Sequence, residues 1–211
     1  MSKKDKEEKE KVVVIFIEGE TEIEFYKRLV SIMRTHCGGR LACSVELINA
    51  SGIGRYKDKV LRVFEKRIKK KYPNGEFYVA LCYDQDVFEM SKNPPVNWQE
   101  VKKLFLDSGA NEVRLIKAVH SIEDWFLCDT GGIFQYLHLP TNTKLPSGNG
   151  YERLKALFKK GTRIYIKGKT NGHFVQVLDM EKILLTNCRD VSPLCKLLDV
   201  DCKQQKRCRN K

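Results

Sequence analysis

Carboxylates recur in this chain where apolar runs end. Glu18 closes the run Val12-Val13-Val14-Ile15-Phe16-Ile17, with Glu20 and Glu22 close behind. Asp84-Gln85-Asp86 closes Phe77 to Tyr83, and Glu123 stands a few residues beyond Val113 to Val119. Oxygen donors gathered without Cys or His suit a hard cation, Mg²⁺ or Mn²⁺. In Asp84-Gln85-Asp86 an extended backbone turns residues i and i+2 to one side, so both aspartates can reach one ion while Gln85 points away. Packed together, such acids repel unless a cation or protons neutralise them. Each piece also has a plainer reading. An Asp-x-Asp after a strand is often a solvated turn, and Glu22, Glu24, Glu123 and Asp124 can simply complement the positive ends of helices.

What favours the site is the framework those positions imply. Val12 to Ile17 is a continuous β-branched run, the mark of a strand buried on both faces of a parallel sheet. A helix follows, with Thr21 and Glu24 as a capping box and Ile23, Tyr26, Leu29, Val30 and Met33 at helical spacing. The alternation then repeats. Ser44 to Ile48 reads as a strand, Tyr56 to Lys71 as a helix, Phe77 to Tyr83 as a strand, Trp98 to Asp107 as a helix and Val113 to Val119 as a strand. Such a βαβαβαβ order predicts an α/β fold with a mostly parallel central sheet and helices on both faces. Ligands of such sheets bind beyond the carboxyl ends of the strands, where the acidic residues fall. A mainly helical extension follows: helices near Ser121 to Leu127, Thr130 to Leu137, Tyr151 to Lys159, Asp179 to Leu185 and Ser192 to Leu198, a Pro/Gly/Asn/Ser-rich loop from Pro140 to Gly150, and a strand at Arg163 to Lys167. The expected division is a charged tail at 1–11, an α/β core at 12–129, an extension packed on it at 130–201 and a basic tail at 202–211.

Composition narrows the partners. A formal net charge of +12 and a pI near 9.3 favour a polyanion. No apolar run approaches the roughly 20 residues of a membrane span, and the N-terminal segment lacks the apolar stretch of a secretory signal, so a cytoplasmic protein with reduced thiols is expected. The cysteines show no C-x-x-C pair and the histidines are scattered, which argues against zinc. Residues 55–71 hold nine basic side chains, among them Arg55, Lys57, Arg62 and Lys66, against Asp58 and Glu65; with the apolar stripe inward they form an outward band able to track phosphates. Gly52 and Gly54 precede this band and would let backbone N–H groups approach a phosphate. A solvated helix and an ordinary loop explain these segments about as well. Trp125, Phe126 and Ile122 read as core rather than as a stacking platform. Gly168-Lys169-Thr170 is not a Walker A loop, because Arg163 stands where its first glycine belongs.

Glu18-Gly19-Glu20-Thr21-Glu22 between an apolar strand and a helix, followed later by Asp84-Gln85-Asp86, resembles the Toprim domain of topoisomerases, primases and OLD-family nucleases. The Glu-Gly-x-Thr-Glu form and Ser121-Ile122-Glu123-Asp124-Trp125-Phe126-Leu127-Cys128-Asp129 resemble most the small stand-alone RloB-like and OLD-related Toprim proteins of prokaryotic defence loci. The resemblance spans roughly Val12 to Asp129. It implies that Glu18 is a general acid/base or metal-organising carboxylate, that Asp84 and Asp86 bind Mg²⁺, and that Glu22 and Glu123 serve a second ion. It also implies that a late lysine, Lys167 or Lys169, contacts the scissile phosphate. Nothing matches a topoisomerase tyrosine or a primase zinc module. The resulting expectation is a Mg²⁺-dependent nuclease acting on DNA or RNA, tRNA included, as an effector of antiphage defence beside a separately encoded ATPase, with oligomerisation left open. Two rivals stand beside it: a catalytically silent Toprim module that binds nucleic acid or a partner, and another α/β Mg²⁺ phosphotransferase or phosphatase.

Overall fold

A computed structural model describes residues 9–85, 96–167 and 172–200. Four parallel strands form one sheet in the order β2-β1-β3-β4: β1 is Glu10–Ile17, β2 Ser44–Asn49, β3 Gly75–Asp84 and β4 Ala110–Ala118. Two residues assigned to the N-terminal tail, Glu10 and Lys11, already belong to β1 and pair with Gly75 and Glu76. The chain leaves β1 for β2 on one side and returns to β3 on the other. The carboxyl ends of β1 and β3 therefore flank a switch point, where an open α/β sheet has its crevice.

Alternate residues of β1 feed two cores. Val13, Ile15 and Ile17 pack with Phe25, Leu29 and Met33 of α1 (Glu20–His36). Val12, Val14 and Phe16 pack against α2, residues 56–71, and α3, Trp98–Asp107. Helices thus cover both faces, as the continuous apolar strands require.

Helix α2 buries Tyr56, Val60, Phe64 and Ile68, a strict four-residue repeat. In a regular α-helix such a stripe would drift by roughly 40° per step. Wider π-type winding over Tyr56–Val60 and Phe64–Ile68, alternating with α-helical Leu61–Val63 and Lys69–Lys71, keeps the repeat facing the sheet.

The extension consists of α4 (Ile122–Phe126), α5 (Thr130–Tyr136), α6 (Gly150–Lys160), α7 (Gly172–Val177), α8 (Met180–Thr186) and α9 (Cys188–Leu197). Phe158, Phe174, Ile183 and Leu194 join the same core as α1 and β1, and Trp125 and Phe126 lie in it against Phe25. Residues 163–167 are not a strand. They have no ladder partner, and side-chain contacts tie Tyr165 to Glu123 and Lys167 to Asp84. Cys37, Cys43, Cys82, Cys128 and Cys195 are free thiols, whereas Cys188 is disulfide-bonded, against the expectation of reduced cysteines throughout. Among the described residues no helix is long and apolar enough to cross a membrane.

Candidate functional site

The acidic side chains converge where β1, β3 and β4 end. Ile17 is the last residue of β1, and Glu18 and Gly19 form the turn into α1. The cap differs from the expected Thr21–Glu24 box: the helix begins at Glu20 with Gly19 as N-cap, and Thr21 is buried. Gly19 is extended, a conformation open to any residue, so its value lies in space. A Cβ there would sit 2.8 Å from Oε2 of Glu22. Glycine thus lets the Glu22 carboxylate fold back against the turn.

Asp84 ends β3 and is 3% exposed. Its Oδ1 accepts the backbone N–H of Ile122 at 2.9 Å, which ties β3 to the start of α4. This places Glu123, fully buried, beside it. Ser121 does not cap α4 with its side chain but donates to Oδ2 of Asp124 at 3.0 Å.

Two residues return from far along the chain to meet these acids. The Tyr165 hydroxyl donates to Oε1 of Glu123 at 2.9 Å, and Lys167 Nζ donates to Oδ2 of Asp84 at 2.9 Å and lies 3.8 Å from Oε2 of Glu123. Tyr165, left without a role by the sequence, proves part of the site. Its alternation with Lys167 was the available signal. Tyr56 is the other omission. Its hydroxyl lies 2.5 Å from the carbonyl of Cys82 and 3.3 Å from that of Phe16, bridging the ends of β3 and β1 from the opposite face.

The electrostatics are those of crowded, dehydrated acids. Burial pushes the Asp84 carboxyl up to about 8; Lys167 opposes this and Glu123 and Glu22 add to it. Burial likewise raises Glu22 to about 7, offset by its own backbone N–H and reinforced by Glu123 and Glu18. Oε2 of Glu22 and Oε2 of Glu123 are buried and accept no hydrogen bond. The Tyr165 phenol is raised by burial and by Glu123, so it stays a donor.

Two spaces adjoin the cluster. Glu18, Glu22 and Asp84 help line a cavity of about 10 Å³, room for one water-sized body. Glu18, Glu22 and Lys167 also line an open cleft of about 470 Å³, together with Asn49, Ser51 and Gly52.

The donor set suits a hard divalent ion, all oxygen with buried lone pairs unused. The grip is not closed, however: among the described residues no three Asp, Glu, His or Cys side chains are gathered tightly enough to hold a metal. Asp86 and Lys169, expected as ligand and phosphate contact, lie outside the described residues.

The expected nucleic-acid contacts divide. Gly52 lines the cleft at φ 112°, but its N–H donates to the Glu18 carbonyl at 2.9 Å and so is not free to cradle a phosphate. Gly54 and Arg55 are exposed in the short turn before α2. Arg62 and Lys66 point into solvent, whereas Lys57 pairs with Glu100 at 2.5 Å. Compared with known proteins, the chain matches no family model, no curated protein and no solved structure.

Proposed function

We propose that this protein is a divalent-metal-dependent nuclease of the Toprim type that hydrolyses phosphodiester bonds in DNA or RNA. The observation that carries the reading is the meeting of Glu18, Glu22, Asp84 and Glu123 from three separate connections at the switch point of a parallel sheet, beside an open cleft. Burying like charges together costs free energy unless protons or cations offset it, and a divalent ion in the adjoining cavity would do so.

Bound Mg²⁺ or Mn²⁺ would polarise the scissile phosphate and lower the pKa of an attacking water. The chain's own groups supply the rest. Asp84 and Glu123 are fixed by Ile122 N–H and the Tyr165 hydroxyl, and Glu22 is tucked in by the missing Cβ of Gly19. Glu18 and Lys167 both line the cleft, where Glu18 would take the proton of the attacking water and Lys167 would bring positive charge. The +12 net charge and the exposed cations of α2 favour a polyanionic substrate.

The test is to incubate purified protein with plasmid, single-stranded DNA and total tRNA in Mg²⁺, Mn²⁺ or EDTA, comparing wild type with Asp84→Ala. Cleavage that needs metal and disappears in the variant is the expected result; cleavage that survives EDTA or the substitution sinks the reading. That no three Asp, Glu, His or Cys side chains form a closed metal grip among the described residues favours one rival, a catalytically silent nucleic-acid-binding module. That rival predicts binding of the same substrates with no cleavage in any metal.

A further inference from the structure

Residues 163–167 run past the acidic edge with their side chains sorted. Ile164 and Ile166 are 77% and 50% exposed, while Tyr165 is buried among Tyr151, Phe158 and Phe174 and Lys167 reaches the carboxylates. The segment is therefore held by what it delivers to the site. Its ammonium sits between Asp84 and Glu123, where a cation shared by those two carboxylates would sit.

We propose that Lys167 is a resident counter-ion occupying the divalent-metal position, and that a metal ion binds by displacing its ammonium into the adjoining cleft. The inference rests on the reading of this edge as a metal site and adds how that site is gated. Three observations carry it. Among the described residues the carboxylates form no closed three-ligand grip, and Lys167 lies among them. Oε2 of Glu123, on a fully buried side chain, and Oε2 of Glu22 accept no hydrogen bond, so ligand capacity is left unused. Lys167 also lines the open cleft with its side chain 35% exposed, and its flexible four-carbon stem gives the ammonium somewhere to go. Tyr165 keeps Glu123 oriented while the lysine leaves, since its own anchorage is aromatic packing that the exchange does not touch. In the cleft the displaced ammonium faces whatever anionic substrate enters.

Calorimetric titration of EDTA-stripped full-length protein with Mn²⁺ tests this without reference to activity. Lys167→Met is expected to bind Mn²⁺ about tenfold tighter than wild type, because the competing cation is gone, and to melt at a lower temperature in EDTA. Lys167→Arg, which keeps the charge, should bind no tighter than wild type. Lys167→Gln, which keeps a donor for Asp84 without the charge, should repeat the tighter binding and serves if the methionine variant does not fold. Wild type that binds Mn²⁺ with both neutral variants binding equally or more weakly overturns the displacement alone. Failure of every variant to bind Mn²⁺ overturns the metal site as well.

Discussion

Asp84 and Asp129 are both buried, at 3% and 5% exposure, and each accepts one backbone N–H and one lysine ammonium. Asp84 takes Ile122 N–H and Lys167; Asp129 takes Asp179 N–H at 2.8 Å and Lys182 at 3.3 Å. What separates them is the neighbourhood. Asp129 stands against Gly132, where a Cβ would come within 2.2 Å of its Oδ2, so the space around it is filled by its own chain. Asp84 shares its surroundings with Glu22 and Glu123 and lines a cavity beside an open cleft. The same donor types make a stitch between α8 and the turn before α5 in one place and an electrostatically loaded site in the other.

Asparagine at each position should break the symmetry most sharply. Asp84→Asn is expected to cost more than about 100-fold in metal-dependent cleavage, by loss of a ligand charge, yet to raise the melting temperature in EDTA. Asp129→Asn should do the reverse. It weakens two charge-assisted hydrogen bonds, with a loss on the order of 1–3 kcal/mol in urea denaturation and metal affinity within about twofold of wild type. Equal stability losses at the two sites would erase the distinction.

The pH dependence of stability should separate them next. Asp84 and Glu22 have ordinary values of 3.8 and 4.5 and folded values of about 8 and about 7. Between these limits the folded state holds more protons than the unfolded one, so in EDTA stability falls as pH rises from about 4.5 to 8 and levels off above. Melting temperatures measured across that window should show the decline in wild type and a much shallower one in Asp84→Asn, with saturating Mg²⁺ suppressing it in wild type. A flat profile in EDTA would mean that these acids are not crowded as described.

Much of this was legible in the sequence, and what was not has a physical cause. Strand β1 announced itself as a continuous β-branched run, and the predicted βα alternation put Glu18 and Asp84 at one edge through the strand-end rule. Trp98–Asp107 has the bounds the sequence predicts, and its observed N-cap is Asn97, whose side chain accepts the Glu100 N–H. The α1 cap was misplaced because Thr21 followed by Glu24 satisfies the local pattern, while burial of Thr21 and the fold-back of Glu22 are set by tertiary packing. Residues 163–167 alternate like a strand, and the alternation is real, but it is spent on delivering Tyr165 and Lys167 rather than on a ladder. Their partners lie 42 and 83 residues away, a distance that local patterns do not bridge.

The glycines beside the two kinds of carboxylate sharpen the contrast at smaller scale. At Gly132 an added Cβ meets both Asp129 Oδ2 and, at 3.0 Å, the Val177 carbonyl, which is backbone and cannot step aside. Gly132→Ala should cost on the order of 1–3 kcal/mol in urea denaturation. At Gly19 the obstacle is only the end of the Glu22 side chain, so Gly19→Ala should leave stability within about 0.5 kcal/mol and instead weaken Mn²⁺ binding about three- to tenfold by turning that carboxylate away.

The smallest effect belongs to α2, where the same comparison between satisfied and unsatisfied charge applies on the surface. Lys57 and Lys71 are each held at 2.5 Å by a glutamate, Glu100 and Glu46. Arg62 and Lys66 are exposed with no ion pair to another described residue. If α2 tracks a phosphate backbone, Arg62→Gln and Lys66→Gln should each weaken binding to single-stranded DNA or tRNA a few-fold near 0.1 M salt. Each should also reduce the slope of log K against log salt by about one. Lys57→Gln frees Glu100 as it removes a cation and should lower affinity at least as much while leaving Mn²⁺ binding unchanged. Slopes unaltered by the Arg62 and Lys66 substitutions would assign the basic face of α2 to solvation and move the search for substrate contacts to the cleft wall.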